Sequence, residues 1–417
     1  MEITSKEKKL LGINGLGRIG KLTLWYHLQS RYFDGVVINV GREVGKGLED
    51  IMQTISTDST YGSLDHFLFG FTGKKCEISI VDAENGLLDF GGFPVKILRK
   101  ERIPRNIGWV KEGVRIVVDC TGRFLDPTIP SDDPKGSLRG HLEAGAQKVI
   151  ASAPFKIKDK SHKDSGQSPT LIYGINHLNF QPHQHHVVSA ASCTTTGLAH
   201  MMKPLLEDQE TMRILTASMS TVHSATNTQS VLDAVPTAGT SDLRKNRSVL
   251  DNIILSSTGA GKTLEMVLPQ IANIGFMADS VRIPTSTVSL ISLNITFNSR
   301  VDTFGEPVIS GGYINNLYRK ASQGSQIGLL HFSDKQNVSS DIMGFPAAVV
   351  IEGHETHTRT GFLPIPASLL QSMGVNEARD INLPVTHAKI FGWYDNEYGS
   401  YVRCLGKLTE HIEATTR

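Results

Sequence analysis

One thiol stands among small hydroxyl side chains in Ala190-Ala191-Ser192-Cys193-Thr194-Thr195-Thr196, directly after the strand-like run Val187-Val188-Ser189. A nucleophilic cysteine needs small neighbours for substrate access. It also needs a cationic or dipolar surround that holds it as thiolate, such as a helix N-terminus. The run Gly197 to Leu206 reads as a helix whose start would provide that. A half-buried packing cysteine ahead of a helix fits the same local pattern, so the rest of the chain has to separate the two readings. His223 bears on the choice. It ends the apolar, β-branched run Met212 to Val222 and precedes Ser224-Ala225-Thr226-Asn227-Thr228-Gln229, which places it to act as a base.

The elements upstream point to a dinucleotide. Leu10-Leu11-Gly12-Ile13 reads as a short buried strand, and Lys21 to Leu28 has helical periodicity. Between them lies Asn14-Gly15-Leu16-Gly17-Arg18-Ile19-Gly20, a G-x-G-x-x-G turn. Its glycines permit a tight turn and close approach of a pyrophosphate to the helix N-terminus. A second strand, Gly35 to Asn39, runs into Asn39-Val40-Gly41-Arg42. Where an acid would bind the adenosine ribose, Val40 neither accepts a hydrogen bond nor repels a 2′-phosphate, and Arg42 could pair with one. Arg42 as a solvated loop residue is the competing reading, and Glu43 could still reach the ribose. Val114 to Cys120 reads as a buried strand that delivers Thr121-Gly122-Arg123-Phe124 to the ligand crevice. A helix over 137–145, a strand over 148–152 and an exposed polar excursion over 156–169 follow.

Composition narrows the class. The chain has 417 residues, enough for two or three cored domains, and a formal net charge of +1. No global basic field argues for nucleic acid, and no apolar run is long enough to span a membrane. Cys76, Cys120, Cys193 and Cys404 are scattered, which suits a reducing compartment; the charged start of the chain lacks an apolar signal core, so a cytoplasmic location is expected. No metal is expected. His354-Glu355-Thr356-His357 is one residue short of H-E-x-x-H, and His183-Gln184-His185-His186 reads as a polar turn. Gly259-Ala260-Gly261-Lys262-Thr263 imitates the end of a P-loop, but Ser256 stands where the first glycine belongs.

Taken in order, the segments resemble phosphorylating glyceraldehyde-3-phosphate dehydrogenases along nearly the whole chain. The matching pieces are Ile13 to Gly20, Thr121 to Phe124, Ser189 to Thr195, Thr221 to Gln229, Ser257 to Lys262, Val281 to Thr285, Asn337 to Asp341 and Trp393-Tyr394-Asp395-Asn396-Glu397. The resemblance implies an α/β chain: a Rossmann-type dinucleotide-binding domain over 1–192 with the C-terminal helix 396–417, and an α+β catalytic domain with a mixed sheet over 193–395. It implies a homotetramer, NAD or NADP as cofactor, and a phosphorylated aldehyde and inorganic phosphate as partners.

The implied reaction oxidises glyceraldehyde 3-phosphate to 1,3-bisphosphoglycerate through a thioester on Cys193. His223 would lower the thiol pKa and act as base. Asn14, Gly15, Gly17, Arg18, Ile19, Arg42 and Thr121 would hold the cofactor, and Asn396 would orient its carboxamide. Arg282 matches the family's phosphate-binding arginine and Thr226 a binder of the substrate phosphate; Ser192, Thr194, Thr258 and Gly259 match the inorganic-phosphate side. Thr196, Thr228, Ser400-Tyr401 and Ala234-Val235 depart from the family pattern. With Val40, the last pair favours NADP or dual use. Extra residues around 41–50, 126–137, 156–169, 343–353 and 371–386 read as surface loops or interface elements. Two other readings fit the departures: an erythrose-4-phosphate dehydrogenase, and a degenerate paralogue with a binding role.

Overall fold

The computed structural model describes residues 8–157 and 166–416, so most of the 156–169 excursion and the start of the chain lie outside the described residues. The chain forms two compact units. It leaves the first between Ser192 and Cys193 and returns to it between Ser400 and Tyr401.

The first unit is built on eight strands in the order Val187–Ser189, Lys148–Ala151, Val114–Asp119, Leu10–Asn14, Gly35–Asn39, Pro94–Leu98, Leu87–Phe90, Ile78–Asp82. The first six are parallel and the last two turn back as an antiparallel edge. Leu11, Ile13, Val36, Ile38, Val117 and Val118 are all buried, the continuous apolar reading of a parallel sheet covered on both faces. From Leu10–Asn14 the connections diverge to opposite sides. The strand ends at Asn14, Asn39 and Asp119 therefore flank a topological switch point, where open α/β sheets bind ligands. Helix Arg18–Ser30 covers one face with Leu22, Leu24, Trp25 and Leu28. The final helix, Arg403–Thr416, packs on it, and Gly406 lies so close to the Tyr26 ring that a Cβ there would collide with it.

Two expected helices are shorter. The one over 137–145 is reduced to Gly140–Glu143, because Gly136 and Gly145 take left-handed conformations and the approach is made of tight turns. The C-terminal one begins at Arg403 after a π-helical turn, Tyr398–Val402, and not at Asn396.

The second unit is a mixed sheet, ordered Ile254–Ser257, Gly275–Ile283, Ile214–Ser224, Ser289–Asn298, Ile381–Tyr394, Val349–Glu352, Leu330–Ser333; His357–Ile365 pairs with Ile381–Tyr394 as a hairpin arm. Ile214–Ser224 runs parallel to Gly275–Ile283 and antiparallel to Ser289–Asn298. Helix Cys193–Glu207 packs on the sheet through Leu198, Met201, Met202 and Leu205, all buried. The segment 343–353, expected as surface, instead supplies the buried strand Val349–Glu352. The segment 371–386 forms the exposed end of the hairpin arm, with Met373 and Val375 in solvent. Among the described residues no helix is long and apolar enough to cross a membrane.

Candidate active site

Cys193 is the first residue of its helix, four positions earlier than the sequence suggests. Thr194, Thr195 and Thr196 form the first turn and are buried. The chain is bent into this helix by Ala191, which takes a left-handed conformation (φ 57°) that costs a non-glycine residue about 1–3 kcal/mol. Ser189 Oγ accepts the Ala191 N–H at 3.0 Å, and Tyr401 Oη donates to the Ala191 carbonyl at 3.2 Å. The thiol thus sits at the positive end of a helix.

Across from it, strand Ile214–Ser224 presents His223 in its last turn of pleat, with Nε2 3.6 Å from Cys193 Sγ. His223 Nδ1 lies 2.8 Å from the Ser224 carbonyl oxygen. In the parallel pairing of the neighbouring strand, Arg282 is the register partner of His223. Its guanidinium reaches Nδ1 at 2.5 Å and the Ser224 carbonyl at 3.3 Å. No described carboxylate pairs with Arg282, and its Nε is buried without a partner. A half-buried cation so placed calls for an anion.

The electrostatics differ from expectation. Burial pushes the Cys193 thiol above its usual 9.0, outweighing the Arg282 charge and the N–H groups of the helix start that pull it down. Burial, then the Arg282 charge, pulls His223 down to about 3, against the Ser224 carbonyl. Burial thus disfavours the charged form of both groups, so proton transfer from the thiol to the imidazole is what would make a thiolate.

The Thr194 hydroxyl has partners within the second unit. Its Oγ1 bonds Tyr394 Oη at 2.9 Å, and Thr221 Oγ1 bonds the same oxygen at 2.7 Å in the core. The same Thr194 oxygen lies 4.0 Å from Cys193 Sγ. Tyr394, to which the sequence reading gave no role, thereby ties helix Cys193–Glu207 to strand Ile214–Ser224. Asn396 Oδ1 accepts from Ser224 Oγ at 2.9 Å and Ser289 Oγ at 3.0 Å, which fixes the direction of its amide. Thr226 Oγ1 lies 2.9 Å from Thr228 Oγ1 and donates to Gln229 Oε1 at 3.0 Å. Thr258 Oγ1 accepts the Ala260 N–H at 3.2 Å, with exposed Gly259 heading helix Ala260–Val267. The structure gathers Cys193, His223, Arg282 and Asn396; the bonds of Thr226 and Thr258 are local. Ser192 is half-buried as the last residue of the first unit.

In the first unit, Gly15 has φ +96° and donates to the Asn39 carbonyl at 2.8 Å; a Cβ there would press Thr121 at 3.2 Å. Gly17 starts helix Arg18–Ser30 with no side-chain cap, so the first-turn N–H groups face outward for an anion. Ile19 is half-buried within that turn. The Arg18 guanidinium pairs with buried Asp58, which also takes Lys21 Nζ at 2.7 Å. The Asn14 side chain is likewise used internally: Oδ1 accepts from Asn39 at 2.9 Å and Nδ2 donates to Asp119 at 2.8 Å.

Asp119 is the hub here. It also accepts from the Thr121 N–H at 3.0 Å, the Thr121 hydroxyl at 2.6 Å and His141 Nε2 at 3.1 Å. The indole N–H of Trp109 can only donate, and it reaches His141 Nδ1 at 2.9 Å, so the ring proton lies on Nε2 toward Asp119. Asp119→Asn places an amide N–H₂ against these donors. It is expected to cost about 1–3 kcal/mol in denaturant unfolding and to raise KM for the dinucleotide; an unchanged midpoint and KM would show the network to be dispensable.

A cavity of about 400 Å³ opens at the switch point, lined by Gly15, Val40, Arg42, Arg102, Thr121 and Arg123 among others. Asn39 also lines it, and its Oδ1 is buried without a partner, an acceptor that a ligand donor would satisfy. Glu43 pairs with Arg99 at 3.1 Å and does not line this cavity. Arg102, held by the Gly41 carbonyl at 3.1 Å, joins Arg42 at the rim. An uncapped helix start, a turn in which the conformation of Gly15 and the packing of Gly20 exclude a side chain, and an orphaned acceptor together fit a dinucleotide.

Residues 9–127 match the domain described as glyceraldehyde 3-phosphate dehydrogenase, NAD binding domain, and residues 192–366 match glyceraldehyde 3-phosphate dehydrogenase, C-terminal domain. The chain belongs to the glyceraldehyde-3-phosphate dehydrogenase family. The glyceraldehyde-3-phosphate dehydrogenase of Geobacillus stearothermophilus is 33% identical over 390 residues, covering 93% of this chain and 94% of that protein. The chloroplastic glyceraldehyde-3-phosphate dehydrogenase A of Chlamydomonas reinhardtii is 30% identical over 401 residues, 96% of this chain and 87% of that protein. The Bacteroides fragilis glyceraldehyde-3-phosphate dehydrogenase is 31% identical over 396 residues. The glyceraldehyde-3-phosphate dehydrogenase C-terminal match stops before helix Ala367–Ser372 and the outer hairpin arm.

Proposed function

We propose that this protein oxidises glyceraldehyde 3-phosphate to 1,3-bisphosphoglycerate with inorganic phosphate. The observation that carries the reading is Cys193 Sγ at 3.6 Å from a neutral His223, with the uncompensated Arg282 alongside. The thiol proton passes to Nε2, the thiolate adds to the aldehyde carbon, and the proton goes on to the carbonyl oxygen, giving a hemithioacetal. A bound nicotinamide supplies the hydride acceptor. His223 takes the hemithioacetal hydroxyl proton as a thioester forms on Cys193. Inorganic phosphate then displaces sulfur from the acyl carbon, and Cys193 recovers its proton from His223. Arg282 neutralises phosphate charge, and Asn396 offers its amide to the cofactor's carboxamide. Omitting phosphate separates this reaction from a hydrolytic one. A product formed equally well without phosphate would favour the erythrose-4-phosphate type of dehydrogenase. The intact Cys193–His223 pair speaks against a non-catalytic role.

For the cofactor, NADP or dual use is supported by Val40 in place of an acid and by Arg42 and Arg102 at the rim of the cavity; Ala234 and Val235 lie exposed on a loop of the second unit. Arg42→Ala with Arg102→Ala is expected to lower kcat/KM for NADP by roughly tenfold or more while sparing NAD, since charge-assisted hydrogen bonds contribute about 1.5–3 kcal/mol. A large preference of the unaltered enzyme for NAD would refute this. Exposed Leu255, Met266 and Met277 on the second unit support assembly into the homotetramer.

A further inference from the structure

We infer that Tyr394 is a positioning residue that holds Cys193 and His223 at the separation their proton transfer needs. The inference rests on the proposed reaction for the roles of those two residues, and on the second unit alone for its geometry. The nucleophile and the base come from different elements, helix Cys193–Glu207 and strand Ile214–Ser224. Tyr394 belongs to neither. It ends strand Ile381–Tyr394, which is separated from the base's strand by Ser289–Asn298. Its side chain reaches past that intervening strand and stands edge-on to the His223 ring, with 6.0 Å between centroids and 80° between planes. Its hydroxyl meets Thr194 Oγ1 at 2.9 Å and Thr221 Oγ1 at 2.7 Å. Thr194 follows the nucleophile directly, and its oxygen lies 4.0 Å from Cys193 Sγ. Thr221 precedes the base by two residues, so the two side chains leave the strand on one face.

A phenol has one proton to donate and an oxygen that accepts, so it can satisfy both threonines at once. Tyr394, Thr194 and Thr221 are all buried. Neither threonine can exchange its phenol bond for one to bulk water, so parting the helix from the strand would strand buried hydroxyls. Burial raises the phenol well above its usual 10.0, so it remains a hydroxyl at every pH where the thiol and the imidazole exchange a proton. Its part is therefore to brace and not to titrate. The gap it braces is the 3.6 Å between Cys193 Sγ and His223 Nε2. Errors in such a gap are costly, since a misplacement of about 1 Å can lower a rate about 10²-fold.

The test is the rate at which iodoacetamide, a small uncharged probe, alkylates Cys193 in the cofactor-free full-length protein, followed at that residue by peptide mass spectrometry from acid to alkaline pH. Tyr394→Phe keeps the ring and removes the link to both threonines. Thr221→Val keeps the phenol and cuts the link to the strand alone. Each is expected to slow alkylation at neutral pH by roughly two- to tenfold, the factor carried by one hydrogen bond. Each should also steepen the rise of the rate with pH, because the imidazole takes less of the thiol's proton. In a His223→Asn background both substitutions are expected to have no further effect, since the brace acts only through the pair. Equal slowing with and without His223 would show a general loosening of the helix start and overturn the inference. Unchanged rates in both single variants would overturn it too; if Tyr394→Phe fails to fold, Thr221→Val decides alone. Alkylation needs neither aldehyde nor cofactor, so these outcomes leave the proposed reaction to its turnover assays. A protein that shows the His223-dependent slowing and oxidises no phosphorylated aldehyde would keep the brace and lose the reaction.

Discussion

Cys193→Ser is expected to lower phosphate-dependent cofactor reduction by at least about 10³-fold. The hydroxyl would occupy the same helix start and face the same imidazole, so positioning is retained and the loss isolates the chemistry of sulfur. His223 is held down to about 3, which makes it a weak base. It can share a proton with a thiol better than with a far less acidic alcohol. The smaller oxygen at a half-buried position should leave folding intact, which thermal unfolding would verify. Steady-state assays with both cofactors decide the matter. A variant that keeps a tenth of the turnover would end the covalent mechanism.

The second large effect belongs to the base. His223→Asn is expected to lower kcat by about 10²–10⁴-fold. It should also change the pH profile, and the direction follows from the two shifts. His223 is depressed to about 3, so it is the neutral, proton-accepting form across the whole range above that value. The acid limb of kcat/KM in the unaltered enzyme should then lie well below the ordinary imidazole value of 6.5. The thiol is raised above 9.0, so without the imidazole it must lose its proton to water, and the residual rate should climb with pH toward and beyond that value. A variant whose small residual rate is flat between neutral and alkaline pH would show that His223 does not serve as the thiol's base.

What the sequence made legible was what is local. The glycine turn at Gly15 to Gly20 and the strand and helix around it lie within one contiguous stretch, and Gly15 and Gly20 have backbone reasons to be there. Cys193 before a helix was readable for the same reason, though the helix takes in three threonines that intrinsic preference would leave outside. Arg42 at the cavity rim was readable from the strand end that precedes it. The roles of hydroxyls were not. Thr194 was matched to the inorganic-phosphate side by resemblance, but the bond of its oxygen to Tyr394, 200 positions away in the chain, was not readable. Arg18 was likewise claimed by Asp58, and Arg102 reached the rim by way of the Gly41 carbonyl. Asp119 became a hub because sheet pairing sets Asn14 beside it and helical turns bring in His141 and Trp109, and no spacing rule joins those positions. Val349–Glu352 was misjudged because a short apolar run without periodicity does not reveal that both its faces are covered.

The return of the chain at Tyr401 sets a timetable for synthesis. The second unit is continuous, and all of it leaves the ribosome before the last helix of the first. The first unit waits through residues 193–400, about 10–40 s at ordinary elongation rates, before Arg403–Thr416 can cover Tyr26 and Trp25's helix. During that interval an apolar flank beside the dinucleotide turn stays open to solvent and to chaperones. The nucleophile's unit therefore has the means to be folded while the cofactor's unit is still unfinished. Shortening the chain by its final helix would strand the cofactor's unit at that stage.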